Sequence, residues 1–64
     1  MYAVTYILFF ASGETKQFIE TFSYRPTEQD MNDVGLELVA EHNAANFTAS
    51  RGYANYKGEW EDEI

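Results

Sequence analysis

Few side chains in this sequence could support acid–base, nucleophilic or metal chemistry. The chain has one histidine, His42, and no cysteine. A serine or threonine nucleophile needs a neighbouring base, and a structural zinc ion needs about four ligands, so one imidazole is not sufficient for either. No glycine-rich phosphate-binding pattern occurs. We therefore expect no enzymatic activity, no cofactor and no bound metal, and we expect His42 to be a structural residue, either a cap at the end of a helix or a histidine at the edge of the core.

Carboxylates dominate the charged residues of the chain. Eleven Asp and Glu outnumber four Lys and Arg, which gives the 64 residues a net charge of −7. A surface of this sign repels nucleic acid and anionic membranes and attracts basic protein surfaces. We therefore expect the partner to be a larger protein with a basic surface, and we expect neither direct nucleic-acid binding nor membrane binding.

Four of these carboxylates share one side of a predicted helix. They follow one another at spacings of three, four and four residues, and we call them the acidic ridge: Asp30, Asp33, Glu37 and Glu41. The segment 27–46 contains no Lys or Arg that could neutralise them. The acidic ridge is therefore either a solvated helix face or a docking surface for a basic partner.

The C-terminal residues form a second acidic group. We predict a folded domain over residues 1–58, followed by an acidic tail over residues 59–64. Four tail residues complete the candidate binding site: Glu59, Trp60, Glu61 and Asp62. An aromatic side chain with a charged rim is typical of an interface hot spot. The alternative is that Trp60 folds back onto the sheet and covers part of the core.

Hydrophobic patterning predicts an α+β domain with the element order β-hairpin, helix, strand. Strands are predicted over 2–10, 15–24 and 47–56, because β-branched and aromatic residues are frequent there and apolar and polar residues alternate in the second and third. A helix is predicted over about 28–43, with Thr27 as its N-cap. The simplest arrangement is a three-stranded antiparallel sheet with one helix packed on one face.

Four further features of the sequence make predictions about this arrangement. The first strand is apolar on both faces, which favours a central place in the sheet and leaves Tyr or Phe side chains on the face opposite the helix. Gly35 lies on the apolar stripe of the helix, which indicates a close approach to the sheet. Gly52, within the third predicted strand, indicates a bulge or a bend. Gly13 is expected in the hairpin turn.

The few cations suggest a different class of function. Two cations, Arg51 and Lys57, lie close in sequence to Tyr53 and Tyr56 near the third strand. Aromatic and cationic side chains in this arrangement can stack and neutralise single-stranded nucleic acid. Because the net charge opposes a polyanion, single-stranded nucleic-acid binding is the second alternative rather than the main hypothesis.

In element order, size and acidic character, the chain resembles the small host-takeover proteins of bacteriophages, such as their transcription inhibitors. The resemblance includes no sequence motif and therefore assigns no residue. It implies a phage-encoded inhibitor or modulator that imitates nucleic acid on a basic surface of a host nucleic-acid-handling or defence protein. The apolar segment 2–10 is too short to span a membrane and has no preceding Lys or Arg, so we expect a cytoplasmic location. The first alternative is a homodimeric interaction module.

Overall fold

A computed structural model of the chain describes residues 1–54 and 60–62. The described residues form one sheet and one helix, in the order β1 (Tyr2–Phe9), β2 (Thr15–Phe22), α1 (Glu28–His42), β3 (Asn46–Ala54) and β4 (Trp60–Asp62). The strand order is β2-β1-β3-β4, and every neighbouring pair is antiparallel. The predicted α+β fold, a three-stranded sheet with one helix packed on it, is confirmed, and β4 extends that sheet at one edge.

Strand β1 occupies the centre of the sheet, as its two apolar faces predicted. It pairs with β2 on one side and with β3 on the other over its whole length. Its side chains Val4, Tyr6 and Leu8 are fully buried beneath α1, where Leu38 joins them in the core. The core is therefore built on a single strand and one helix face, which is what a domain of this size can enclose.

The hairpin between β1 and β2 closes through a short hydrogen-bonded turn. The Gly13 amide donates to the Phe10 carbonyl at 2.9 Å, and the Phe10 amide donates to the Glu14 carbonyl at 3.0 Å. Gly13 has φ +92°, a left-handed conformation that glycine adopts without steric cost. The turn position predicted for Gly13 is therefore confirmed.

Helix α1 begins and ends at well-formed caps. Thr27 Oγ1 accepts a hydrogen bond from the Asp30 amide at 3.1 Å, and Asp30 Oδ2 accepts one from the Thr27 amide at 3.0 Å. This reciprocal pair satisfies two backbone donors that the helix itself leaves open. At the other end Asn43 is left-handed with φ 55°, and the Ala44 amide donates to the Val39 carbonyl at 2.9 Å. The helix is thus fixed at both ends by local bonds.

Two long-range hydrogen bonds attach the beginning of α1 to the sheet. The buried Tyr6 hydroxyl donates to the Met31 carbonyl at 2.8 Å. Arg51 Nη1, from β3, donates to the carbonyl of Pro26 at 2.8 Å and lies 3.7 Å from the sulfur of Met31. Both contacts position the first turn of the helix over the neighbouring strands β1 and β3.

The two glycine predictions have different outcomes. A Cβ atom at Gly35 would overlap the ring of Phe47, so the close approach of the helix to the sheet is confirmed. The bulge or bend at Gly52 is wrong. Gly52 pairs with Ala3 of β1 and with Asp62 of β4, and the β1–β3 register is continuous through it.

Tyr6 should make the stability of the fold sensitive to alkaline pH. Burial, with a smaller contribution from the negative charge of Glu20, raises the pKa of Tyr6 from 10.0 to about 12. The unfolded chain therefore loses this proton first, and the free energy of unfolding falls as the pH rises from about 10 to about 12. We expect Tyr6→Phe to cost roughly 1 kcal/mol at neutral pH and to show a smaller alkaline decline than wild type in urea titrations. Equal declines in the two proteins would contradict this assignment.

Candidate protein-interaction surfaces

Three carboxylates of the acidic ridge extend from α1 into solvent. Asp33, Glu37 and Glu41 are all exposed. Within residues 1–54 and 60–62, no Lys, Arg or His side chain forms an ion pair with any of them. Successive members are four residues apart, so they are separated by about 6 Å along the helix axis. This part of the helix presents a row of unneutralised negative charge.

Asp30 differs from the other three members of the predicted ridge. It is half-buried, and its Oδ2 atom accepts the Thr27 amide in the N-terminal cap. Its carboxylate therefore stabilises the helix start, where negative charge is also favoured by the helix dipole. The pattern of Thr27 followed three residues later by Asp30 was the sequence signal for this capping role.

An exposed leucine accompanies the charged row, and the sequence interpretation missed it. The side chain of Leu36 is 54% exposed, and Ala40, one turn further on, is exposed as well. Leu36 lies three residues after Asp33, so the apolar side chain borders the row of carboxylates along one side. We call Leu36 and Ala40, together with Asp33, Glu37 and Glu41, the outer helix patch. The position of Leu36 away from the apolar stripe was visible in the sequence.

The acidic C-terminal residues belong partly to the sheet. Trp60–Asp62 form β4, and the register pairs Trp60 with Ala54, Glu61 with Tyr53, and Asp62 with Gly52. Glu61 is exposed. Glu59, the remaining candidate residue in this group, lies outside the described residues. The segment 60–62 is therefore an edge strand beside β3, separate in the chain and in the fold from the outer helix patch.

The sheet face opposite α1 has no secondary-structure element packed on it in the part of the chain that the structure describes. We call the part of it that β1, β2 and β3 form the open sheet face, and the pairing registers assign it the following residues: Ala3, Thr5, Ile7, Phe9, Thr15, Gln17, Ile19, Thr21, Asn46, Thr48, Ser50 and Gly52. None of these residues is charged. Ile19 is 58% exposed, Phe9 40% and Ile7 36%.

The expectation of Tyr or Phe side chains on the open sheet face is met on β1 by Phe9. Tyr2 and Tyr6 share the opposite side of β1, which faces the helix. The alternation along β1 therefore places Ile7 and Phe9 on the open side. On the helix side the hydroxyl of the buried Tyr6 has a polar partner in the Met31 carbonyl.

His42 has a structural environment. It is half-buried in the last turn of α1, and its ring lies 4.6 Å from the ring centroid of Phe18 on β2. Within the described residues, no three His, Cys, Asp or Glu side chains converge in a way that could hold a metal ion. The described helix is also not long and apolar enough to cross a membrane.

The cationic strand that suggested nucleic-acid binding is only partly described. Arg51 is half-buried and directs Nη1 to Pro26 at the contact between sheet and helix. Tyr56 and Lys57 lie outside the described residues. The structure therefore supplies no observation that favours a base-stacking strand over the outer helix patch.

Searches for related proteins gave no match. No protein-family model, no curated protein and no solved structure is significantly similar to this chain.

Proposed function

We propose that this chain is a small acidic inhibitor or modulator that docks through its outer helix patch on a basic surface of a larger protein. The observation that carries the proposal is the row of Asp33, Glu37 and Glu41, exposed and without an internal cation among the described residues, beside the exposed Leu36. Unneutralised charge of one sign attracts and orients a partner of the opposite sign.

The apolar side chain gives the proposed surface a second component. Rows of carboxylates alone often form solvated helix faces, and exposed charge pairs contribute little binding free energy. A leucine that becomes desolvated at the centre of a contact adds affinity through burial of apolar surface. Leu36 is in the right position for this, because it borders the charged row next to Asp33, so one contact could cover both.

A basic protein surface that normally binds nucleic acid is the partner that fits this patch best. Such surfaces neutralise successive phosphates with Lys and Arg. A rigid helix with carboxylates about 6 Å apart offers a row of negative charges to the same cations. We propose on this basis that the partner is a host nucleic-acid-handling or defence protein, and that the chain is phage-encoded and acts in the host cytoplasm. The small size, the element order and the acidity support this part of the proposal.

The test compares two charge-reversal variants as baits in a host lysate. Glu37→Lys changes the outer helix patch, and Glu14→Lys makes the same change at the exposed hairpin turn. We expect wild type and Glu14→Lys to capture the same basic protein, and Glu37→Lys to retain at least tenfold less of it. Double-stranded DNA added to the wild-type bait should displace the captured protein.

Circular dichroism confirms that each bait is folded before capture is compared. Equal capture by Glu37→Lys and Glu14→Lys would remove the outer helix patch from the binding site. A captured protein that DNA does not displace would contradict the nucleic-acid imitation, while loss of capture by Glu37→Lys would still support docking through α1.

A further inference from the structure

We infer that the open sheet face is the interface between two copies of this chain. This inference concerns a surface on the opposite side of the sheet from the outer helix patch, and it does not depend on the proposed function. It starts from the composition of the open sheet face, which has three exposed apolar side chains, Ile7, Phe9 and Ile19, among short polar ones.

The charge distribution identifies a second copy as the occupant. Two chains that each carry a net charge of −7 repel one another wherever their acidic surfaces meet. Charged residues make up 23% of the chain, yet none occupies the twelve positions that β1, β2 and β3 contribute to the open sheet face, and the charged residue that the register adds is Asp62 at the β4 edge, paired with Gly52. A basic partner would gain no electrostatic attraction from such a face, whereas an identical chain avoids like-charge contact there. The face therefore fits its own copy better than it fits a basic protein.

The size of the face is sufficient for a weak dimer. It extends about 26 Å along the eight-residue β1 and about 14 Å across three strands, from the usual rise per residue and strand spacing. Two such faces would bury on the order of 1,000 Å² of accessible surface, which is at the small end of specific interfaces. We therefore expect a dissociation constant in the micromolar range.

The geometry of this dimer leaves the helices free. Two sheets packed face to face lie about 10 Å apart, with their side chains interdigitated. Because α1 covers the other side of each sheet, both outer helix patches would point away from the interface. A twofold dimer of this kind would present two acidic helices at once, and a target with two basic sites would bind it more tightly than a monomer.

Sedimentation equilibrium with matched variants tests the inference. We expect wild type to change from monomer to dimer as its concentration rises from about 1 µM to about 1 mM. Ile19→Lys should remain monomeric over the same range, with dimerisation weakened at least tenfold. Ile19→Lys makes the net charge less negative, which weakens the repulsion between copies and by itself favours association. A loss of dimer in this variant therefore cannot result from the change in net charge. Thr48→Lys, at an exposed position on another strand of the same face, should have the same effect.

Leu36→Lys is the control for hydrophobicity and charge. Leu36 is 54% exposed and Ile19 is 58% exposed, and both substitutions add one positive charge, but Leu36 is on α1. We expect Leu36→Lys to dimerise as wild type does. A wild-type protein that is monomeric at about 1 mM would overturn the inference. So would the same dimer dissociation constant for folded Ile19→Lys, Thr48→Lys and Leu36→Lys. A monomeric wild type that still loses its partner through Glu37→Lys would overturn the dimer and leave the proposed function intact.

Discussion

Gly35→Ala is expected to lower the free energy of unfolding by about 1 to 3 kcal/mol, although alanine is the better helix former. The added methyl group would overlap three ring atoms of Phe47, namely Cδ2, Cε2 and Cζ. That ring belongs to β3 and packs against the core cluster around Leu38, so it cannot move aside without opening other contacts. Urea denaturation of the two proteins at neutral pH measures the difference.

The matched control removes the obstructing atoms. Phe47→Val replaces one residue type that is frequent in strands with another and eliminates the three ring atoms that Gly35 approaches. In this background, Gly35→Ala should stabilise the protein by up to about 1 kcal/mol, because only the helix-propensity difference remains. A destabilising effect of the same size in both backgrounds would show that the close approach to Phe47 is not the cause.

Binding of the basic partner should depend steeply on salt, and the effect should appear mainly in the association rate. The Debye length falls from about 30 Å at 0.01 M salt to about 10 Å at 0.1 M, so attraction by Asp33, Glu37 and Glu41 weakens over this range. We expect the association rate constant to fall roughly 10- to 1,000-fold between low and high salt. The dissociation rate should change much less. Surface plasmon resonance on the captured partner measures both.

Leu36→Ala separates the apolar component of the same surface from the charged one. It removes contact area without changing charge, so it should raise the dissociation rate several-fold and leave the salt dependence of association unchanged. Glu37→Gln should weaken the salt dependence of association and leave the dissociation rate nearly unchanged. Salt-independent association of the wild type would exclude electrostatic docking by α1, whatever the effect of Leu36→Ala.

The elements of the fold could largely be predicted from the sequence because each has a local cause. Thr27 and Glu28 define the start of α1, Gly13 defines the hairpin, and the apolar pattern of β1 requires a central position. Strand β4 could not be predicted in this way, because Trp60–Asp62 is three residues long and two of them are acidic residues with little strand preference. Its pairing with β3 depends on the neighbouring strand rather than on its own sequence.

The candidate surfaces could be predicted only as far as they depend on spacing within one segment of the chain. Helical spacing placed Asp33, Glu37 and Glu41 together, but spacing alone could not separate them from Asp30, whose carboxylate binds the Thr27 amide. The exposure of Leu36 could have been read from the same helical wheel. The uncharged character of the open sheet face required the registers of three strands at once, which no single segment of the sequence contains.

The central position of β1 also determines when this chain can fold. Its hairpin partner β2 follows directly, but its other partner begins at Asn46, and Tyr2 pairs with Tyr53. During synthesis β1 therefore keeps one edge unpaired until the segment 46–53 has emerged as well. Such distant pairing slows folding, since the entropy cost of closing a long loop is incurred before the paired strands gain their contacts. Until β3 has been synthesised, the hairpin of β1 and β2 thus exposes a strand edge on which another chain could pair.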